Sequence, residues 1–373
     1  MNPEAKKYQR IKNRLFAINL FFSLLILLVA IVSGLSLWLK ISLGRWTSNL
    51  ALLNGLYITA LSLAFYILGF PLEFYEGYIL EHRFKLSNQG VVSYLKDNFK
   101  KSIISIVIAL VATFFLYLFL EKFAQIWWIL ASLGWFFLSV ILAKITPTVF
   151  IPLFYKYLPL KDTELRRKIM ALFTDANTKL KDVYMIDFSS KTKKLNAAVA
   201  GFGNSRRVIL TDNLLNELSH DEILSIVAHE LGHYKNKDTI KTLFFGASVT
   251  SVLFFISSIV LKRSFSFFGY SGLSDIAGFP LFALIMLILG LFVLPIQNGF
   301  SRHLEVRADF FSLSQTRAYG AFISMMEKLE LKNLADANPG RFTEIMLYTH
   351  PPIGRRIKLA EKLKEEYKNT LRS

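Results

Sequence analysis

The sequence predicts a mainly α, polytopic membrane protein: about six transmembrane helices with a split α+β domain outside the bilayer. Three observations predict it. The chain of 373 residues is 53% hydrophobic, with 34 Phe and a mean hydropathy of +0.41, and only 19% of its residues are charged, where a soluble chain carries about 25%. Its apolar residues gather into six runs long enough to cross roughly 30 Å of hydrocarbon. The polar stretch between the fourth and fifth runs reads as short strands followed by a capped amphipathic helix.

Taken in order, the spans lie near Leu15–Leu39, Ala51–Phe74, Ile103–Leu120, Ile126–Lys144, Thr242–Leu261 and Phe279–Asn298. A basic tail (Lys6, Lys7, Arg10, Lys12, Arg14) precedes the first. That apolar run is too long for the core of a signal peptide and more spans follow, so it reads as an uncleaved helix. The positive-inside rule puts the tail in the cytoplasm. The loop Glu76–Ser102, with Arg83, Lys85, Lys96, Lys100 and Lys101, then lies inside, as does the basic stretch Pro147–Lys241. Spans three and four form a hairpin through Glu121–Gln125; spans five and six form another through the outer loop Lys262–Gly278. The segment from Phe300 onward returns to the cytoplasm. The division expected is 1–146 for spans one to four with loop 76–102, 147–241 for the first soluble piece, 242–298 for the second hairpin, and 299–373 for the second soluble piece. Together the two soluble pieces are large enough for one core.

The net charge of +17 raises nucleic acid as a partner, but no nucleic-acid-binding signature accompanies it. The partners expected are the lipid bilayer, which membrane-flanking Lys and Arg suit, and no nucleic acid. The chain has no Cys, so disulfides are excluded and a zinc ion would be held by nitrogen and oxygen.

In the first soluble piece, Val183–Ser189, Asn196–Phe202 and Arg207–Thr211 read as strands, the last two turning at Gly203-Asn204-Ser205. Ser219 and Glu222 form a capping box, and Ile223, Ile226 and Val227 follow at helical spacing. That helix carries His229-Glu230-Leu231-Gly232-His233. Histidines four apart share a helix face, about 6 Å apart along the axis, and can grip one Zn²⁺. Glu230 beside them can take the proton of a water that the metal activates for peptide hydrolysis. A catalytic zinc takes a third protein ligand and keeps one position open. Here the best candidate is Glu305, on the stretch Ser301–Asp309 after span six. Asp309, four residues on and on the same face, would accept the distal N–H of a histidine ligand. His303 points to the opposite face. Plainer readings exist: a His pair on a helix is often surface or satisfied core, Glu230 could be a surface carboxylate, and Glu305 and Asp309 could pair with Arg302 and Arg307 on a solvated helix.

In these motifs the chain resembles the integral-membrane zinc metalloendopeptidases of the CAAX prenyl protease 1 type, within the wider group that includes the HtpX-type membrane proteases. The resemblance is carried by Asn196-Ala197 with Gly201-Phe202-Gly203, Arg207-Val208-Ile209-Leu210 with Asp212, and HELGH at 229–233. It continues in Glu305-Val306-Arg307-Ala308-Asp309 and Thr349-His350-Pro351-Pro352. Pro71-Leu72-Glu73-Phe74 and Glu81-His82-Arg83-Phe84 are similar to that family's early cytoplasmic loop. The resemblance implies a split zincin-type metalloprotease domain with one Zn²⁺ per chain, and Glu305 as the third ligand. It also implies His350 as the group that stabilises the oxyanion, and Asn196 as a contact to the substrate backbone. Without it, a His before Pro-Pro reads as structural and Asn196 as a turn or strand-edge residue. The Arg207–Thr211 strand looks like the edge on which zincins lay a substrate as an added strand.

The implied substrate is a peptide or protein, prenylated in the CAAX reading; the alternative is HtpX-like quality control of misfolded membrane proteins. A transporter or scaffold with a structural zinc would instead need a closed site of four ligands. Eukaryotic family members have seven spans, and this chain lacks an ER-return signal at its C-terminus. A prokaryotic homologue in the cytoplasmic membrane is therefore expected, or the endoplasmic reticulum membrane in a eukaryote, with the active site on the cytoplasmic face. The last stretch, Ile353–Leu371, reads as a lysine-rich amphipathic helix that packs on the soluble domain or lies on anionic lipid, packing being the favoured reading.

Overall fold

The computed structural model describes residues 2–201 and 206–372; the predicted turn at Gly203-Asn204-Ser205 and the Phe202 end of its strand lie outside them. Among the described residues six helices are long and apolar enough to cross a membrane. The first, α1 (Pro3–Val32), starts well before its apolar run, because Asn2 caps it and Pro3 fits the first turn. The expected span to Leu39 is broken at Gly34, whose φ of +72° is left-handed. A short apolar helix, α2 (Leu35–Gly44), follows. α3 (Leu50–Phe74) runs on through a π-helical turn at Tyr75–Leu80 into α4 (Glu81–Arg83). α5 (Val91–Lys122) also begins far ahead of its apolar stretch. The predicted loop 76–102 is therefore mostly helix. Hydropathy marks only where a helix is greasy, and the backbone keeps its hydrogen bonds well past that point. Asn54 and Thr113 line a cavity of about 240 Å³ between α3 and α5, whereas Thr59 bonds back to Gly55 of its own helix.

After α6 (Trp127–Ile145), a second π-helical turn (Thr146–Phe150) and α7 (Ile151–Phe154) lead out of the bundle. The α+β part then runs β1 (Tyr157–Pro159), α8 (Thr163–Asp175), β2 (Asp182–Ile186), β3 (Ala197–Ala200), β4 (Arg207–Thr211), α9 (Asp212–Glu217) and α10 (His220–Lys235). The four strands are ordered β1-β2-β4-β3, with β2 and β4 parallel and the outer pairs antiparallel. The expectation that Arg207–Thr211 is the open edge fails: β4 is bonded on both sides, and the edges are β1 and β3. β1, too short to show a period, escaped the sequence reading.

α11 (Asp238–Ser264) and α12 (Phe279–Thr316) form the last hairpin. The helix expected after span six is not separate from it. α12 is one helix of 38 residues, about 57 Å long at 1.5 Å per residue, so it leaves roughly 30 Å of hydrocarbon and continues into the soluble core. Then come α13 (Tyr319–Asn333), α14 (Arg341–Leu347) and α15 (Ile353–Arg372).

Phe173 of α8, Val208 and Leu210 of β4, Val227 and Leu231 of α10, Leu313 of α12, and Phe322 and Met325 of α13 form one buried core. Ile353, Ile357 and Leu363 of α15 pack against it, as expected of that amphipathic helix. A second core around Tyr57, Trp127 and Phe254 holds the bundle together, and a third, small one joins Tyr8 and Leu15 of α1 to Leu80, Leu86 and Leu334. Phe21, Ile67, Phe137 and Phe292 stay exposed on the spans, as lipid-facing residues do.

Candidate active site

The capping box predicted for α10 is formed: the Ser219 N–H donates to Glu222 at 2.7 Å and the Glu222 N–H to the Ser219 hydroxyl. Glu222 is tied further to Lys328 and Ser324 of α13 at 2.8 and 2.6 Å. The helix start is thus fixed from both sides. Three turns on, Gly232 packs directly on α12, where an added Cβ would stand 3.1 Å from the Ala308 Cα. Only a residue without a side chain allows this approach. It sets Glu305 and Asp309 of α12 against the two histidines.

The contacts there are specific. His229 turns Nδ1 to Asp309 at 2.9 Å and His233 turns Nδ1 to Asp238 at 3.0 Å. Both Nε2 atoms face inward, 3.2 Å apart. Glu305 reaches them at 3.2 Å from His229 and 3.4 Å from His233. These three residues can each offer one ligand atom, all within 4.8 Å of one another. The donor chemistry fits a metal. With Nδ1–H given to a carboxylate, each ring in its neutral form turns a bare Nε2 lone pair inward, which is what a cation takes. Glu305 Oε2 is buried without a hydrogen-bond donor, the orphaned state a cation relieves.

Asp309 is fully buried and takes a bidentate pair of bonds from Arg356 at 2.8 and 2.5 Å. It pairs with neither Arg302 nor Arg307, so the solvated-helix alternative falls. Arg302 instead donates to the backbone of Glu344 and Tyr348, and Arg307 to Asn236. His303 is exposed, as its spacing required. Burial pulls the His229 pKa down, but its contacts with the Asp309 and Glu305 carboxylates prevail and push it up to about 9; His233 is raised by the same kind of contact. Glu230 is raised by burial against the pull of both histidines. Burial lowers His350, whose Nε2 lies 3.3 Å from Glu305.

His229, Glu230, His350, Asn196 and Arg356 line one cavity of about 460 Å³. Asn196 heads β3 and is exposed. All seven residues singled out from the sequence are thus in or directly behind one site. Three neighbours were not foreseen. Asp238 fell in the polar stretch before span five and was given no role, yet it opens α11. Arg356 sits in the first turn of α15, just after His350-Pro351-Pro352, where its only sequence signal was proximity. Gln9, from the basic tail, reaches the cavity wall.

Residues 159–364 match the model of peptidase family M48, and residues 3–156 match the CAAX prenyl protease N-terminal model, described as five membrane helices. In that stretch this chain has four long apolar helices and the short α2. A Bacillus subtilis protein named uncharacterized metalloprotease YhfN is 31% identical over 96% of this chain and 85% of its own length. CAAX prenyl protease 1 of Saccharomyces cerevisiae is 26% identical over 81% of this chain and 71% of its own. The crystal structure of S. mikatae Ste24p has the same fold, with a TM-score of 0.86 at 24% identity over 96% of this chain and 88% of that one. A family match over more than half of the chain, joined to the site geometry, gives the conclusion: the chain belongs to peptidase family M48 and is an integral-membrane metalloprotease.

Proposed function

We propose that the chain is a zinc endopeptidase that works at the cytoplasmic face of the membrane on CAAX-type substrates, removing C-terminal residues from a prenylated peptide. The observation that carries the reading is the convergence of His229, His233 and Glu305 on one point, at the wall of a cavity shared by Glu230 and His350. His229, His233 and Glu305 would hold the ion. A bound Zn²⁺ supplies Lewis-acid polarisation of water and of the scissile carbonyl.

The protein's own groups do the rest. Asp309 and Asp238 hold the two histidines in the tautomer that frees Nε2. Glu230, its pKa raised by burial, takes a proton from the attacking water and passes it to the leaving amine. His350 donates a hydrogen bond to the carbonyl oxygen as that oxygen gains charge. β3 presents its free edge beside Glu230, so an extended peptide can pair with it, with Asn196 at its head. The basic loops of the sequence support the cytoplasmic face. The bacterial relative supports a cytoplasmic membrane, and the relatives named as CAAX prenyl proteases support the substrate class.

The test is reconstitution in liposomes with a farnesylated CAAX peptide, its unprenylated twin, and an unfolded membrane protein, each with and without chelator. Chelator-sensitive release of a C-terminal fragment from the farnesylated peptide alone is expected. Cleavage confined to the unfolded protein would favour the HtpX-like role instead.

A further inference from the structure

We propose that Glu81 is a positioning residue: clasped between Tyr8 and Lys194, it holds the head of strand β3 at the cavity. This rests on the reading of β3 as the substrate-binding edge. The early-loop motif Glu81-His82-Arg83-Phe84 lies outside the candidate active site, and its contacts show what it grips. Glu81 accepts a hydrogen bond from the Tyr8 hydroxyl through one oxygen and pairs with Lys194 Nζ at 2.7 Å through the other. Lys194 also donates to the Tyr8 hydroxyl at 3.0 Å, closing a three-membered ring of contacts. Phe84, from the same motif, sets its ring edge-on to Tyr8 at 5.2 Å. Tyr8 is 1% exposed, so this clasp is a built joint.

Lys194 is two residues before Asn196, and its clasp feeds directly into the cavity wall. Leu195 is bonded through both backbone groups to Asn333, N–H to Oδ1 at 2.8 Å and O to Nδ2 at 3.2 Å. Asn213 takes the Lys194 carbonyl. On the other side Gln9, next to Tyr8, donates to the Leu334 carbonyl at 3.0 Å. α1, α4 and the end of α13 thus converge on the three residues that lead into β3. The strand needs such a hold. It pairs with β4 alone among the described residues, and of its three alanines and one valine only Ala197 and Val199 touch the core, both partly buried. An edge strand that must accept a peptide cannot be covered on its free side, so beyond its ladder with β4 the added hold comes from its end.

The experiment compares wild type, Glu81→Ala, Glu81→Gln and the swap Glu81→Lys with Lys194→Glu. The Tyr8 hydroxyl can donate to a carboxylate on either side, so the swap can rebuild the ring. Two readouts are taken: hydrogen exchange of residues 192–200, which needs no substrate, and KM and kcat on a peptide that wild type cleaves. For the single variants, exchange of 192–200 should rise about tenfold while α10 is unchanged, and KM should rise about tenfold with kcat within twofold. The swap should bring both back to within about threefold of wild type. Glu81→Gln carries the test if Glu81→Ala does not fold. Unchanged exchange and KM in the single variants would overturn the proposal. So would a swap that restores nothing, or a uniform loss of melting temperature and kcat with KM constant. Failure of wild type to cleave any prenylated peptide bears on the proposed function alone, because the exchange readout still decides the clasp.

Discussion

Gly232 and Ala308 are in backbone contact: a Cβ at position 232 would meet the Ala308 Cα at 3.1 Å and its carbonyl oxygen at 3.2 Å. Two helices separated by a transmembrane hairpin are thereby brought close enough for carboxylates of one to reach histidines of the other. The glycine of HELGH is as much a part of the site as the groups that flank it.

Gly232→Ala should therefore push α12 outward by a few tenths of an ångström and weaken metal binding about tenfold, in the range seen when support of a metal ligand is disturbed. Gly232→Val, with two more methyl groups against backbone, should yield protein that retains no metal after dialysis. Metal content by mass spectrometry checks both. Gly232→Ala that binds metal like wild type would show that the contact is slack.

The two carboxylates behind the histidines should behave differently when neutralised. Asp238→Asn removes one partner of His233 at the N-terminus of α11, and metal affinity should fall by about 10- to 100-fold with little change in folding. Asp309→Ala also strands the buried guanidinium of Arg356, a loss of about 3–5 kcal/mol. Thermal unfolding in detergent separates them: a large fall for Asp309→Ala and a small one for Asp238→Asn. Equal falls would mean that the Asp309–Arg356 pair contributes no more than an outer-shell contact.

Glu230→Gln keeps the shape of the side chain and removes its basicity. Turnover should drop by about 10²- to 10⁴-fold, as expected for loss of a general base, while metal content stays at one ion per chain. Chelator should abolish the wild-type activity, and added Zn²⁺ should restore it. Retained cleavage by Glu230→Gln would refute its assignment as base.

Much of this site was legible in the sequence because its main groups sit on helices. Spacing on a helix fixes direction, so His229 and His233 had to share a face, and Glu305 and Asp309 another. Topology then returned the two faces to one compartment. What spacing could not show was contact between elements far apart in the chain. The pairing of Asp238 with His233 depends on a left-handed residue, Lys237, that restarts the chain as α11. The bond from Arg356 to Asp309 depends on the packing of α15. Strand order failed for a similar reason. β4 is the more apolar strand, and its burial between β2 and β3 is what that composition meant. The helices also outran their apolar runs, because hydropathy reads the lipid boundary rather than the end of the hydrogen-bonded backbone.

Acid should loosen the start of α10. Burial would raise the Glu222 carboxyl, but the bonds from Lys328, Ser324 and the Ser219 N–H outweigh it and hold its pKa below the ordinary value. A depressed pKa means that the folded state favours the charged form. The stabilisation is complete above the unfolded-state value and is lost as pH falls through the folded one. At neutral pH, Glu222→Gln should lower stability by about 1–2 kcal/mol, the scale of a lost cap with a charged bond. That deficit should shrink as pH falls below the ordinary carboxyl value, because the unfolded chain then takes up a proton that the folded carboxyl resists. Lys328→Met should show the same convergence with wild type, since it removes the other end of the same pair. Melting curves across this pH range, taken in the presence of chelator so that metal release does not contribute, check the sign: a deficit that stayed constant down to the lowest pH would place the stabilisation in the shape of the capping box and not in its charge.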